Sequence, residues 1–357
     1  MQSKFQIFLV SVSVTTLVLL ASLLAAAPPG RQNQQGIWIS PDELAELPTW
    51  GRAWARLKKG ADRPAGPPDL SDQDQYNNVS VLAKALVYAR TGEEKYRLEV
   101  IQHCLDAIGS ERGGRTLALG RKLAAYVIAA DLVHLPEAGD RPFRSWLGET
   151  LDEPLRDRTL RSTHEKRPNN WGTHAGASRA AVAAYLRDQE ELERTARVFR
   201  GWLGETKAYN GFQFGNDLSW QCDPNNPVGI NPRGCWKGAH LIDGVLPDDQ
   251  RRGGEFRWPP PHENYVYEAL QGAIVQAVIL HRAGFDSFEW GDRALLRAYK
   301  WLYREAGFPV QGDDAWQLPL VDYFYGTSFW NHSPTACGKN MGWTDWTHSV
   351  PGGNSAR

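Results

Sequence analysis

Two stretches of the 357-residue chain concentrate side chains able to hold an anion and move a proton. The first is Arg167-Pro168-Asn169-Asn170-Trp171-Gly172-Thr173-His174. The second comprises Asp243-Gly244-Val245-Leu246-Pro247, Arg251-Arg252-Gly253, Arg257, and then His262 through Leu270 with Tyr265 and Tyr267 inside it. This mixture of Asn, Arg, His and Tyr suits β-elimination beside a sugar carboxylate. That reaction has three needs. The carboxylate must be neutralised or hydrogen-bonded so that it accepts charge as the neighbouring C5 proton leaves. A base must take that proton, and an acid must protonate the departing glycosidic oxygen.

Each stretch also has a plainer reading. Asn at a helix start is ordinarily a cap, and the second stretch could be a basic loop packed on aromatics. A helix start nevertheless gathers unpaired N–H donors and the positive end of the dipole, which suits an anionic ligand. If a helix begins at Asn170, then Asn170 and His174 lie four apart and share a face.

The elements that must position these residues are helical. Ser40-Pro41-Asp42-Glu43 reads as a helix start, with a cap, a proline in the first turn and acids beside the positive dipole end. Apolar residues recur at helical spacing over Asn78 to Ala89, Tyr96 to Ile108, Thr116 to Leu132, Asn170 to Leu186, Glu190 to Leu203, Tyr265 to Ala283 and Asp292 to Arg304. Alternation of period two is nearly absent. Paired helices in series build a bundle, a solenoid or a closed α/α toroid. The loop Tyr209 to Pro261 interrupts the series, and its many aromatics argue against disorder. The Gly- and aromatic-rich stretch Gly338 to His348 shows no helical period and reads as a cleft edge or a terminal packing segment.

With both stretches in place, the sequence resembles the alginate lyase superfamily of α/α toroid polysaccharide lyases, nearest in motif order to the mannuronate-cleaving enzymes. Those carry Asn-Asn-His opening a helix, then Asp-Gly-x-Leu-Pro, then Arg-Gly, then a Tyr shortly before an Ala-Leu helix. Asn169-Asn170, Asp243 to Pro247, Arg252-Gly253 and Tyr265 before Ala269-Leu270 follow in that order. The resemblance implies an all-α fold, a toroid or incomplete barrel of helical hairpins with long active-site loops. It implies that Asn170 holds the substrate carboxylate, that Arg252 assists, and that Tyr265 is the acid, or acid and base together for a syn elimination. Trp171 stands where the family has its His, which moves the base elsewhere: His174 is the first candidate, with His262 and His240 behind it. Asn169, Trp171, Arg257, His262, Tyr267 and His240 complete the expected substrate contacts. Pro259-Pro260-Pro261 is an insertion between Arg252 and Tyr265. The resemblance implies alginate or polymannuronate as the substrate, and these departures point to a separate family with a different uronate polymer such as glucuronan.

Met1 to Ala27 reads as an export segment, with Lys4 ahead of an apolar run and Ala25-Ala26-Ala27 at its end. It is either a cleaved signal peptide or a retained membrane anchor. Residues 28–39 form a linker and residues 40–357 one catalytic domain, expected to be monomeric and secreted or periplasmic. Four cysteines fit that oxidising setting. Cys222 and Cys235 are the favoured disulfide, and Cys104 with Cys337 forms either a second bridge or leaves a buried thiol. A net charge of -1 argues against a nucleic-acid binder, whereas the 15 Trp and 12 Tyr suit stacking on sugar rings as well as core packing. No cofactor motif is present, and His332, Cys337 and His348 lack zinc-ligand spacing. Two rival functions stay open. One is a glycoside hydrolase using carboxylates such as Asp217, Asp313 or Asp314; the other is a non-catalytic glycan-binding protein.

Overall fold

The computed structural model describes residues 36–349. The export segment and residues 28–35 of the linker lie outside the described residues. Ile37, Trp38 and Ile39, at the end of the stretch read as linker, are instead buried, and the Ile37 N–H donates to Asp131 Oδ2 at 3.0 Å.

The all-α class is observed. Helices α1 (Pro41–Glu46), α2 (Gly51–Ala61), α3 (Asn77–Thr91), α4 (Glu94–Asp106) and α5 (Thr116–Val133) are followed by α6 (Glu137–Thr150), α7 (Leu160–Lys166), α8 (Asn170–Leu186) and α9 (Gln189–Trp202). After the long loop come α10 (Pro247–Gln250), α11 (Tyr265–Arg282), α12 (Trp290–Arg304), α13 (Gln317–Tyr325) and α14 (Thr344–Thr347). The β-structure among the described residues is one small antiparallel hairpin, β1 (Trp236–Lys237) with β2 (His240–Leu241), and an isolated bridge between Leu155 and Arg158.

Helices α3, α5, α8 and α11 are buried nearly all round, and a helix without a polar face must lie inside the fold. Around them α2, α9 and α12 bury one face each. The inner helices touch in the order α3–α5–α8–α11. The short α14 contacts both α13 and α2, and so joins the C-terminal segment to the first hairpin. Two glycines let the inner helices approach. A Cβ on Gly120 of α5 would stand 2.9 Å from the Ala175 nitrogen, and one on Gly272 of α11 would stand 2.4 Å from the His174 nitrogen. Any side chain at these crossings would push α5 or α11 away from the first turns of α8. No helix of the described residues is long and apolar enough to cross a membrane.

Three differences from the sequence reading have local causes. Helices α2, α6, α7 and α13 are not anticipated by the sequence reading; α6 carries Pro142 inside it, and α7 is only two turns long. Helix α12 starts at Trp290, but Gly291, Asp292 and Arg293 take left-handed dihedrals, so its regular part begins beyond them. The segment 338–348 is both things it could have been. Met341 and Trp346 are buried in the core, while Lys339 lies on the cleft described below.

Cys222 and Cys235 form a disulfide with Cα atoms 5.9 Å apart. The possible second bridge is not formed. Cys104 is a buried thiol on α4 with Sγ 3.8 Å from the Tyr126 carbonyl, and Cys337 belongs to the C-terminal segment.

Candidate active site

The inner helices start at a common end, and there a cleft of about 440 Å³ opens between their first turns. Gln73 and Asp74 reach it from the loop before α3, Arg115 and Arg121 from the start of α5, and Asn170 and Trp171 from the start of α8. Asn264, Tyr265 and Glu268 reach it from the start of α11, Arg252 from the loop after α10, and Lys339 from the C-terminal segment. Helix N-termini, four cations and three carboxylates, Asp74, Glu263 and Glu268, surround one open space, and the helix starts with the small cationic excess favour an anionic ligand.

The start of α8 is fixed by a pair of acids. Asn169 is the N-cap: its Oδ1 accepts from the Trp171 N–H at 3.3 Å and its Nδ2 donates to Asp248 Oδ2 at 3.0 Å. The Asn170 N–H donates to Asp249 Oδ1 at 3.2 Å. Asp248 also accepts from the Gly215 N–H at 3.1 Å and from Arg251 Nε at 2.8 Å. Burial, and then the charge of Asp248, push the Asp249 carboxyl well above the usual carboxylate range. These contacts carry the loop after α10 onto the start of α8 and set Arg252 beside Asn170.

Three side chains meet as a result. Arg252 Nη2 stands 3.5 Å from Asn170 Oδ1, at the outer limit of a hydrogen bond. The same guanidinium lies 3.8 Å from the centroid of the Tyr265 ring. Tyr265 is 42% exposed and so offers its phenol to a ligand. The Asn170 side chain is fully buried among protein atoms, yet its Nδ2 has no hydrogen-bond partner. An unpaired buried donor costs roughly 1–3 kcal/mol.

The cleft also holds residues that sequence reasoning missed. Arg121 forms a direct ion pair with Glu268, joining α5 to α11. Burial pushes the Glu268 carboxyl up, but neighbouring His174, Arg121 and Lys339 outweigh it and hold it at about 2. Lys339 pairs with Asp74 at 2.6 Å across the rim. Beneath them Lys122 donates to the Gln75 carbonyl and, at 3.1 Å, to the Lys339 carbonyl; burial and then the adjacent Arg121 push this ammonium down to about 7. A charged residue inside the apolar period of Thr116 to Leu132 was the signal available for Arg121, and spacing three from Tyr265 on one helix was the signal for Glu268.

Several expected contacts lie elsewhere. His174 is fully buried and does not line the cleft; its Nε2 is 3.9 Å from Glu268 Oε2, and burial lowers its pKa to about 4, so it is neutral and enclosed. His262 is stacked on Phe308 at 4.6 Å, and His240 on Trp258 at 4.3 Å, both outside the cleft lining. Tyr267 is buried and donates its hydroxyl to the Phe308 carbonyl at 2.5 Å; two residues on from Tyr265 it faces the opposite side of α11. Arg257 is exposed but does not line the cleft, and Asn169 is committed to capping. Trp171 does line it, with the Arg167 guanidinium 5.5 Å from its ring, whereas Trp38, Trp220, Trp316 and Trp346 are core. Of the carboxylates considered for hydrolysis, Asp217 caps the Ser219 N–H, Asp313 accepts from Tyr76, and Asp314 is buried under α11 against Gln271. None of the three lines the cleft.

The matched segment of the chain runs from α3 to just beyond α9 and includes Asn169, Asn170 and Arg121. Residues 79–214 match the alginate lyase family. This alginate lyase match supports a polysaccharide lyase at the level of the family, and it ends before Arg252 and Tyr265. No curated protein matches the chain significantly.

Proposed function

We propose that this protein is an exported lyase that cleaves a uronate-containing polysaccharide, such as alginate, polymannuronate or glucuronan, by β-elimination on an incomplete α/α toroid. The observation that carries the reading is the unpaired Asn170 amide beside Arg252, with Tyr265 under the same guanidinium. In this reading the C6 carboxylate of the sugar accepts hydrogen bonds from Asn170 Nδ2 and from Arg252. Charge that moves onto the carboxylate as the C5–H bond breaks then meets donors already in place. Tyr265 takes the C5 proton and returns it to the glycosidic oxygen on the same side of the ring. The C4–O bond breaks, a C4–C5 double bond forms, and no water is consumed. Tyr265 takes both proton transfers because no His among the described residues lines the cleft.

Incubating the purified protein with alginate, polymannuronate, polyguluronate, glucuronan and glycosaminoglycans tests this. The lyase reading expects ultraviolet absorbance, from the conjugated uronate, to rise in step with new reducing ends on at least one uronate polymer. New reducing ends without absorbance would mean hydrolysis instead, and binding without new ends would mean a glycan-binding protein.

A further inference from the structure

Glu268 stands on the cleft wall one turn after Tyr265, and the mechanism above gives it no task. An ionised carboxylate beside a site for an anionic polymer is a liability, because like charges at close range repel. Its contacts, to Arg121 and His174, both go to Oε2. Among the described residues nothing in the protein donates to Oε1, and the side chain keeps 19% of its surface open. Arg121, only 6% exposed, fixes the carboxylate from behind. The outcome is a charged acceptor fixed through one oxygen, with the other left unpaired at the cleft.

We infer that Glu268 is a specificity-determining residue that accepts a hydrogen bond from a ring hydroxyl of the sugar whose carboxylate rests on Asn170 and Arg252. This rests on the proposed function. A charged acceptor binds a hydroxyl more strongly than a neutral one does, and it excludes the flipped sugar whose carboxylate would face α5. Glu268 therefore sets which way the polymer lies across Tyr265. The contrasting role is a brace between α5 and α11 with no contact to the ligand.

The test compares kcat/KM on a uronate polymer with that on the same polymer O-acetylated on its ring hydroxyls, for the wild-type protein and for Glu268→Gln, with melting temperatures alongside. The wild type is expected to lose roughly tenfold or more on acetylation, and Glu268→Gln to lose roughly 10- to 100-fold on the unmodified polymer, the scale of a charge-assisted hydrogen bond. Acetylation then costs the variant several-fold less than it costs the wild type, since the contact is already gone. Equal acetylation ratios in the two proteins overturn the inference and leave Glu268 a brace. If Glu268→Gln melts early, the same ratios are taken with Glu268→Asp, which keeps the charge but draws the carboxylate back from the cleft: a ratio equal to that of the wild type overturns the inference, and a smaller one upholds it. Absence of elimination on every uronate polymer would remove the proposed function itself, and this inference with it.

Discussion

Replacing Asn170 by Ala should separate catalysis from stability in one step. The side chain is fully buried, but it does little for the fold. Its Nδ2 has no partner, and its Oδ1 meets Arg252 only at 3.5 Å. The cap of α8 belongs to Asn169, and the bond to Asp249 uses the Asn170 main-chain N–H, which Ala keeps. Deleting an unpaired buried donor recovers about 1–3 kcal/mol, which offsets the packing lost with three heavy atoms. The net change in stability is then about 1 kcal/mol or less, and the melting temperature moves by no more than about 2 °C. Catalysis fares differently. Losing one preorganised donor to a developing anion costs ~10²–10³ in kcat. The assay is the initial rate of ultraviolet absorbance on the best uronate polymer, with thermal melts of both proteins. A variant that melts many degrees lower and keeps its kcat would refute the reasoning, because the amide would then be a structural group.

Tyr265→Phe should still bind the polymer, since the ring under Arg252 is retained, while turnover falls to background; measurable steady-state elimination in this variant would free Tyr265 of the proton transfers. Acid should destabilise the protein progressively as pH falls below about 6.5. His174 protonates near 6.5 in the unfolded chain but only at about 4 in the fold, where burial disfavours its charge. Its contribution is complete above pH 6.5 and is lost as pH falls towards 4, a change of about 3 kcal/mol. Glu268, held at about 2, works in the same direction at lower pH. His174→Leu should flatten the pH dependence of the melting temperature over that window, and an unchanged slope would contradict the assignment. Reducing Cys222–Cys235 opens a loop with a sequence separation of 13 and should cost about 3 kcal/mol, seen as a lower melting temperature in reductant that Cys222→Ser/Cys235→Ser reproduces without reductant.

Much of the site was legible because its first layer sits at helix starts. Asn170 and Tyr265 each begin a helix, and the boundaries of both follow from local residue types. The loop that carries Arg252 could be found from its Arg and Pro content, though nothing local predicted that Asp248 and Asp249 would pin it to α8. The error over His174 is geometric. Four residues along a helix is about 6 Å of axial rise. On a surface helix that spacing keeps two side chains together, but α8 is buried nearly all round and passes under Gly272, so His174 is carried into the core. Tyr267 failed for a related reason, facing away from Tyr265 around the same helix. Arg121 and Lys339 could not be tied to the site from the sequence, because they come from α5 and from the last segment of the chain and meet the other residues only across helix contacts. The C-terminal stretch has no periodicity because its order comes from side chains, including Asn78 and Lys122, that donate to its carbonyls.

The most direct measurement is a crystal structure of Tyr265→Phe soaked with an unsaturated-end-free oligouronate. The account predicts a sugar carboxylate oxygen within hydrogen-bond distance, about 3 Å, of Asn170 Nδ2, with Arg252 on the same carboxylate and the C5 hydrogen turned towards the ring at 265. A bound oligomer whose carboxylates all lie away from residue 170, leaving its amide unpaired, would contradict it.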